Sequence, residues 1–243
     1  MGLKSLLFGG GKSKEERQIE KLKNKLMNPH RQTDERMWVM QSLAEIGSEQ
    51  AVEVLLNRFT FQTDSSMVDA NEKERCHEYL IEMGAVACEP LRKYVIGKKN
   101  MYWPLSAYRA IRGDEDAETL LVEAINSLDH GYAEEERRKT ELFSNLREFQ
   151  TDRTYEMLKE ALKDTNDDVR VIAVEGLISF GPKMALAPLI ETVVNPEESA
   201  RIRTVIMEVL ADTGWSLMKY RARLMGNLMP AYDIAGDGKI IRN

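Results

Sequence analysis

The chain has 243 residues, 43% of them hydrophobic and 30% charged, with a net charge of −6. That composition suits one large domain or a short repeat array with a continuous core. No window approaches the eighteen or so uncharged apolar residues of a transmembrane helix, and two cysteines, Cys76 and Cys88, are too few for a disulfide framework. They read as reduced thiols of a cytoplasmic protein.

The chain begins with an apolar run, Met1 to Phe8, broken by Lys4 and followed by Gly9, Gly10 and Gly11. The run is too short for a secretory signal and lacks a small-residue cleavage site. A myristoylation start needs Ser or Thr at position 6, where Leu6 stands. Gly9-Gly-Gly-Lys-Ser13 lacks the first glycine of a P-loop and the strand before it. Residues 1–13 therefore read as a flexible N-terminal segment. Its apolar plug, Leu3, Leu6, Leu7 and Phe8, suits a groove in a partner or the surface of an anionic membrane.

A basic helix is expected next, from about Lys14 to Met27, as a cap on the helices C-terminal to it. Residues 1–31 hold eight basic side chains against three acidic ones, so the rest of the chain carries a net −11. An acidic body lacks the broad attractive field of non-specific nucleic-acid binding, so nucleic acid is not an expected partner.

Residues 33–60 form the first helical pair. Trp38, Val39, Leu43 and Ile46 make an apolar stripe that ends at Gly47, and Val52, Leu55, Leu56 and Phe59 make a second. Fainter copies run from Glu74 to Gly84, from Trp103 to Gly113, and from Glu134 to Phe149. The clearest unit is Asp167-Asp-Val-Arg-Val-Ile-Ala-Val-Glu-Gly-Leu-Ile-Ser-Phe-Gly181. Val169, Ile172, Ala173, Leu177 and Phe180 predict a helix buried on one face, with Gly181 as its stop. Leu186, Leu189, Ile190 and Val193 predict the helix after Pro182. The register repeats in Ile202, Val205, Ile206, Val209 and Leu210, ending at Gly214. Arg36, Arg170 and Arg203 share one offset from their glycines.

Spacings of roughly 30 to 40 residues belong to two-helix repeats, each unable to bury its apolar face alone. The expected fold is all-α, an α-α superhelix of about six hairpins over residues 14–229. Residues 230–243 abandon the helical period. Asp237-Gly238 between Tyr232-Asp-Ile234 and Lys239-Ile-Ile241 predicts a turn or a small hairpin as a C-terminal cap.

The segment Asp167 to Leu177 followed by Gly181 resembles the bacterial HEAT repeat, including the variety called PBS-lyase HEAT-like. The resemblance is closest over residues 164–214, partial over 33–60 and faint between 61 and 163. It implies a HEAT-type solenoid, most of whose relatives are scaffolds and adaptors, with a minority of enzymes or lyases. Phycobilin-lyase-like and DNA-glycosylase-like activities are the enzymatic alternatives it implies.

Three constellations invite chemistry. His77-Glu78 resembles the His-Glu pairs of HEAT-like di-iron deoxyhypusine hydroxylases, but the pair occurs once, and His30 and His130 lack a following glutamate. Trp38 and Trp103 fall on the predicted core stripes, which assigns them to packing. Asp233 to Gly238 lacks the ligand spacing of a calcium loop. No catalytic, metal or cofactor residue is expected, and no cofactor. The acidic runs Asp114–Asp116, Glu134–Glu136 and Asp164–Asp168 read as hairpin turns or helix starts. The functional expectation is a non-enzymatic scaffold that binds a protein partner through a concave face lined by second helices. The candidate contacts are Arg92, Lys93, Lys159, Lys183, Lys219 and Arg223 with the N-terminal Leu3, Leu6, Leu7 and Phe8; residues 1–12 also offer peripheral membrane contact at the inner membrane face.

Overall fold

Short polar side chains open many of the helices of the computed structural model, which describes residues 12–28, 31–97, 100–128 and 133–243. Ser13, Ser48, Ser65, Thr151, Asn166 and Ser199 each accept a backbone N–H from the first turn of the following helix. At Ser13 the arrangement is reciprocal: its hydroxyl accepts from Glu16 N, and Glu16 accepts from Ser13 N at 2.7 Å.

The helices so delimited are α1 (Lys14–Leu26), α2 (Thr33–Ile46), α3 (Glu49–Leu56), α4 (Ser66–Met83), α5 (Ala85–Gly97), α6 (Tyr102–Arg112) and α7 (Asp114–Asn126). They continue as α8 (Ala133–Leu146), α9 (Asp152–Ala161), α10 (Asp167–Ile178), α11 (Pro182–Val194), α12 (Ala200–Thr213) and α13 (Arg221–Leu224). Two 3₁₀ turns, Asn57–Thr60 and Met218–Tyr220, follow α3 and precede α13. The three predicted acidic runs do fall at helix starts: they open α7, open α8, and lead into α10.

The chain divides into two units, residues 1–120 and 121–243, with the boundary inside α7. In the first, α2, α4 and α6 pack side by side as one row, α3 packs on α5, and α1 covers α2 and α3. In the second, α8, α10 and α12 form the row, and α11 packs against α10, α12 and α13. Consecutive helices pair as the repeats predict. The predicted hairpin cap is present as β1 (Tyr232–Ile234) and β2 (Ile240–Arg242), antiparallel, with Asp233 opposite Ile241. β2 packs on α12.

The buried stripe of the first helices is rotated from the predicted one. In α2 the core takes Arg36, Val39, Met40 and Leu43, in α10 Val169, Ala173, Val174, Gly176 and Leu177, and in α12 Ile202, Ile206, Met207 and Leu210. Val174 and Met207, which lie off the predicted stripe, are therefore inside. Trp38, Ile172 and Val205 are not: Trp38 is 53% exposed, and the other two are half-buried. Each of these helices is covered by neighbours besides its partner: α2 by α1 and α4, α10 by α8 and α12, and α12 by α10 and β2. That widens its buried arc toward positions such as Met40, and a residue two places earlier then points away. Trp103 is likewise half-buried, its ring edge-on to His77 at 5.3 Å.

The glycines divide by role. Gly47 and Gly214 end α2 and α12 in the left-handed conformation, as expected of a helix stop. Gly181 does not: α10 ends at Ile178 with Ser179 as its cap, and Gly181 caps the start of α11 at φ 77°, ψ 171°, a region that L side chains avoid.

Two further positions bring unit two together. Pro188 lacks the N–H that would reach Met184 O, and the Tyr155 hydroxyl donates to that carbonyl at 3.2 Å. Gly176 lets α10 approach α8 and α9, because a Cβ there would lie 2.8 Å from Leu158 Cδ1 and 2.9 Å from Arg147 Cβ. Gly176→Val is expected to lower unfolding stability by about 2 kcal/mol, since overpacking exceeds the gain in helix propensity. A chemical-denaturation midpoint equal to or above the parent's would disprove this.

Candidate interaction surface

The predicted contact residues fall in both units. Arg92 and Lys93 lie on α5, where Glu89 stands 3.9 Å from Arg92 and 3.7 Å from Lys93. Both are thus partly engaged by one carboxylate on their own helix. Lys159 on α9 pairs with Glu156 at 3.0 Å, and the hydrogen bond to that carboxylate holds its pKa above the usual lysine range. Its ammonium also lies over the Tyr155 ring. Lys183 is exposed in the first turn of α11. Leu3, Leu6, Leu7 and Phe8 lie outside the described residues.

Lys219 and Arg223 are different. They stand on the 3₁₀ turn and α13, in a stretch with no acidic residue between Asp212 and Asp233. Both are exposed, and among the described residues neither makes a salt bridge. Met218 and Met225 beside them are 54% and 63% exposed. Leu217 and Leu224 point inward and are fully buried, which fixes the outward direction of their neighbours. The hairpin loop supports the segment from behind. Leu217 N donates to Gly238 O at 2.7 Å, Ser216 Oγ to Asp237 O at 2.7 Å, and Arg221 Nη1 to Ala235 O at 2.8 Å. Two cations flanked by two flexible thioethers are therefore held on a braced turn. Residue-by-residue reading finds the cations but misses the methionines; the acid-free window is the available signal.

A groove of about 430 Å³ lies elsewhere in unit two, between α9 and α11, and Lys159, Lys163, Pro188 and Glu191 line it. Its deeper cation is Arg170, which is already taken: it pairs with Glu198 at 2.8 Å and with Asp167. Arg203, at the same repeat offset, donates to Asn195 O at 2.6 Å. The repeated arginines thus tie helices to neighbouring segments.

Arg36 does so most completely. Glu72 of α4 accepts from Arg36 Nη2 at 2.8 Å and from Arg58 Nε at 2.8 Å, and all three side chains are buried. Arg58 goes on to Asp69 at 2.7 Å, and Lys73 meets the other oxygen of Asp69 at 2.6 Å. Burial works against the ionised Asp69, but the bonds from Lys73, Arg58 and Thr63 N outweigh it and hold its pKa below the usual aspartate value. This network joins α2, the Asn57–Thr60 turn and α4.

His77 and the cysteines are held by structure. Nε2 of His77 lies 3.1 Å from Ser106 Oγ, and burial lowers the pKa of the ring. Cys76 is fully buried, and desolvation pushes its thiol up to about 12. Among the described residues, no group of three or more His, Cys, Asp or Glu side chains is placed to hold a metal.

Comparison with known proteins adds one family. The model of the PBS lyase HEAT-like repeat matches residues 35–60. That is the first pair, α2 and α3, where the resemblance carried by the sequence is only partial. No curated protein sequence matches the chain. Among solved structures, human deoxyhypusine hydroxylase in complex with glycerol aligns at 14% identity over 86% of this chain and 89% of that one, with a TM-score of 0.32. The repeat matched at residues 35–60 is thus the first of the consecutive helical pairs that make up this all-α chain.

Proposed function

We propose that the protein is a non-enzymatic adaptor that takes a protein partner on the second-helix side of unit two, centred on Met218, Lys219, Arg223 and Met225. The observation that carries this is the exposure of two methionines flanking two cations that make no salt bridge among the described residues, in a chain of net charge −6. Methionine adapts to irregular apolar surfaces, and exposed cations select acidic ones. The chemistry fits a partner segment with apolar anchors and flanking carboxylates. Lys159 and Lys183 on α9 and α11 add basic positions on helices of the same class.

The test is affinity capture from the native host with the full chain, the double variant Lys219→Glu/Arg223→Glu, and the comparison variant Arg92→Glu/Lys93→Glu. A protein retained by the parent and by the second variant, but reduced at least about tenfold on the first, supports the reading. Equal retention on all three chains overturns it.

A further inference from the structure

We propose that the N-terminal face of unit one, the basic edge of α1 with Trp38, seats the protein on an anionic lipid bilayer. Lys14, Arg17, Lys21 and Lys25 recur at spacings of three and four, which places them along one side of α1, away from the buried Ile19, Leu22 and Leu26. The first three are exposed and Lys25 is half-buried. None of the four makes a salt bridge among the described residues. Two of the three acids of the helix are engaged elsewhere: Glu16 caps Ser13, and Glu20 pairs with Lys12 at 2.7 Å. The stripe ends at an aromatic ring, because Lys25 Nζ lies 5.1 Å from the centroid of Trp38, itself 53% exposed on α2.

A row of cations free of salt bridges among the described residues matches a plane of anionic headgroups, and an exposed indole favours the depth at which those headgroups lie. The charge of this face is opposite to that of the remaining chain, which carries a net −11. The sequence just before α1 supplies Leu3, Leu6, Leu7 and Phe8. An apolar segment joined to a polybasic patch is the pairing that lasting bilayer attachment requires. Nucleic acid would use the cations and the ring but leave those four apolar residues without a role.

The experiment is co-sedimentation of the full chain with vesicles of phosphatidylcholine alone and of equal parts phosphatidylcholine and phosphatidylglycerol. Binding is expected only to the anionic vesicles and falls as salt shortens the screening length. Each cation near such a surface contributes about fivefold in partitioning, so the variant with Lys14, Arg17, Lys21 and Lys25 all changed to Glu is expected to lose roughly three orders of magnitude. Lys23→Glu, on another side of the same helix, keeps nearly all binding, and Trp38→Ala loses part of it with helicity unchanged. Equal binding to neutral vesicles, full binding by the four-site variant, or binding to duplex DNA without binding to anionic vesicles would each overturn the proposal. A chain lacking residues 2–11 is expected to bind more weakly but still prefer anionic vesicles; loss of that preference overturns it too. None of these readouts involves Lys219 or Arg223, so this result and the capture result stand or fall separately.

Discussion

Glu72→Ala is expected to lower unfolding stability by about 3–5 kcal/mol, because it leaves two buried guanidinium groups facing each other without their shared carboxylate. Glu72 and Arg58 are fully buried and Arg36 is 3% exposed, so little water is available to replace the lost partner. The pair is also geometrically specific: Arg36 reaches Glu72 through both Nε, at 3.0 Å, and Nη2 at 2.8 Å, while Arg58 Nε takes the second oxygen. Removing the whole ionic set is a different experiment. The triple variant Arg36→Met/Arg58→Met/Glu72→Leu is expected to regain most of the loss, since the three buried charges are then gone and Asp69 keeps Lys73. Denaturant unfolding followed by circular dichroism measures both. A Glu72→Ala loss under about 1 kcal/mol would refute the argument.

The same network gives a pH dependence with a definite sign. The pKa of Asp69 is lower in the folded chain than in the unfolded one. Its contribution to stability is therefore complete above the unfolded value of about 3.9 and is lost as pH falls through the folded value. Asp69→Asn is expected to flatten that acid limb.

Gly238→Ala is expected to lower stability by about 2–4 kcal/mol and to loosen the C-terminal hairpin. The residue is buried at φ 86°, and a Cβ would stand 2.5 Å from Met218 Cγ, 2.7 Å from Ser216 Oγ and 2.9 Å from Met218 N. The last contact is with backbone and has no rotamer to escape into. The same turn accepts the Leu217 N–H, so its displacement also removes the brace behind Met218 and Lys219. Gly236→Ala in the same loop meets nothing within 4 Å and is the control. Equal unfolding midpoints for the two variants, with equal proteolysis after residue 229, would disprove the account.

Much of the architecture is legible in local pattern. The stop glycines Gly47 and Gly214, the apolar spacing of α3 and α11, and the turn at Asp237-Gly238 each act within a few residues, so each can be read where it stands. The candidate surface is legible in part. Lys219 and Arg223 stand out by charge, but the neighbours that matter, Met218 and Met225, look like core residues until Leu217 and Leu224 are seen to take the inside.

By itself the sequence determined an all-α chain of consecutive helical pairs with a hairpin at its end, and the uneven charge that sets α1 apart from the acidic body. Only the tertiary structure decided which side of each helix is inside. Trp38 and Met40 are both apolar and two residues apart, so periodicity permits either arc. The choice falls to how many neighbours a helix has, and α2 packs against α1 and α4 as well as α3. The same cause makes Arg36 a buried partner of Glu72 and leaves Trp38 exposed beside Lys25.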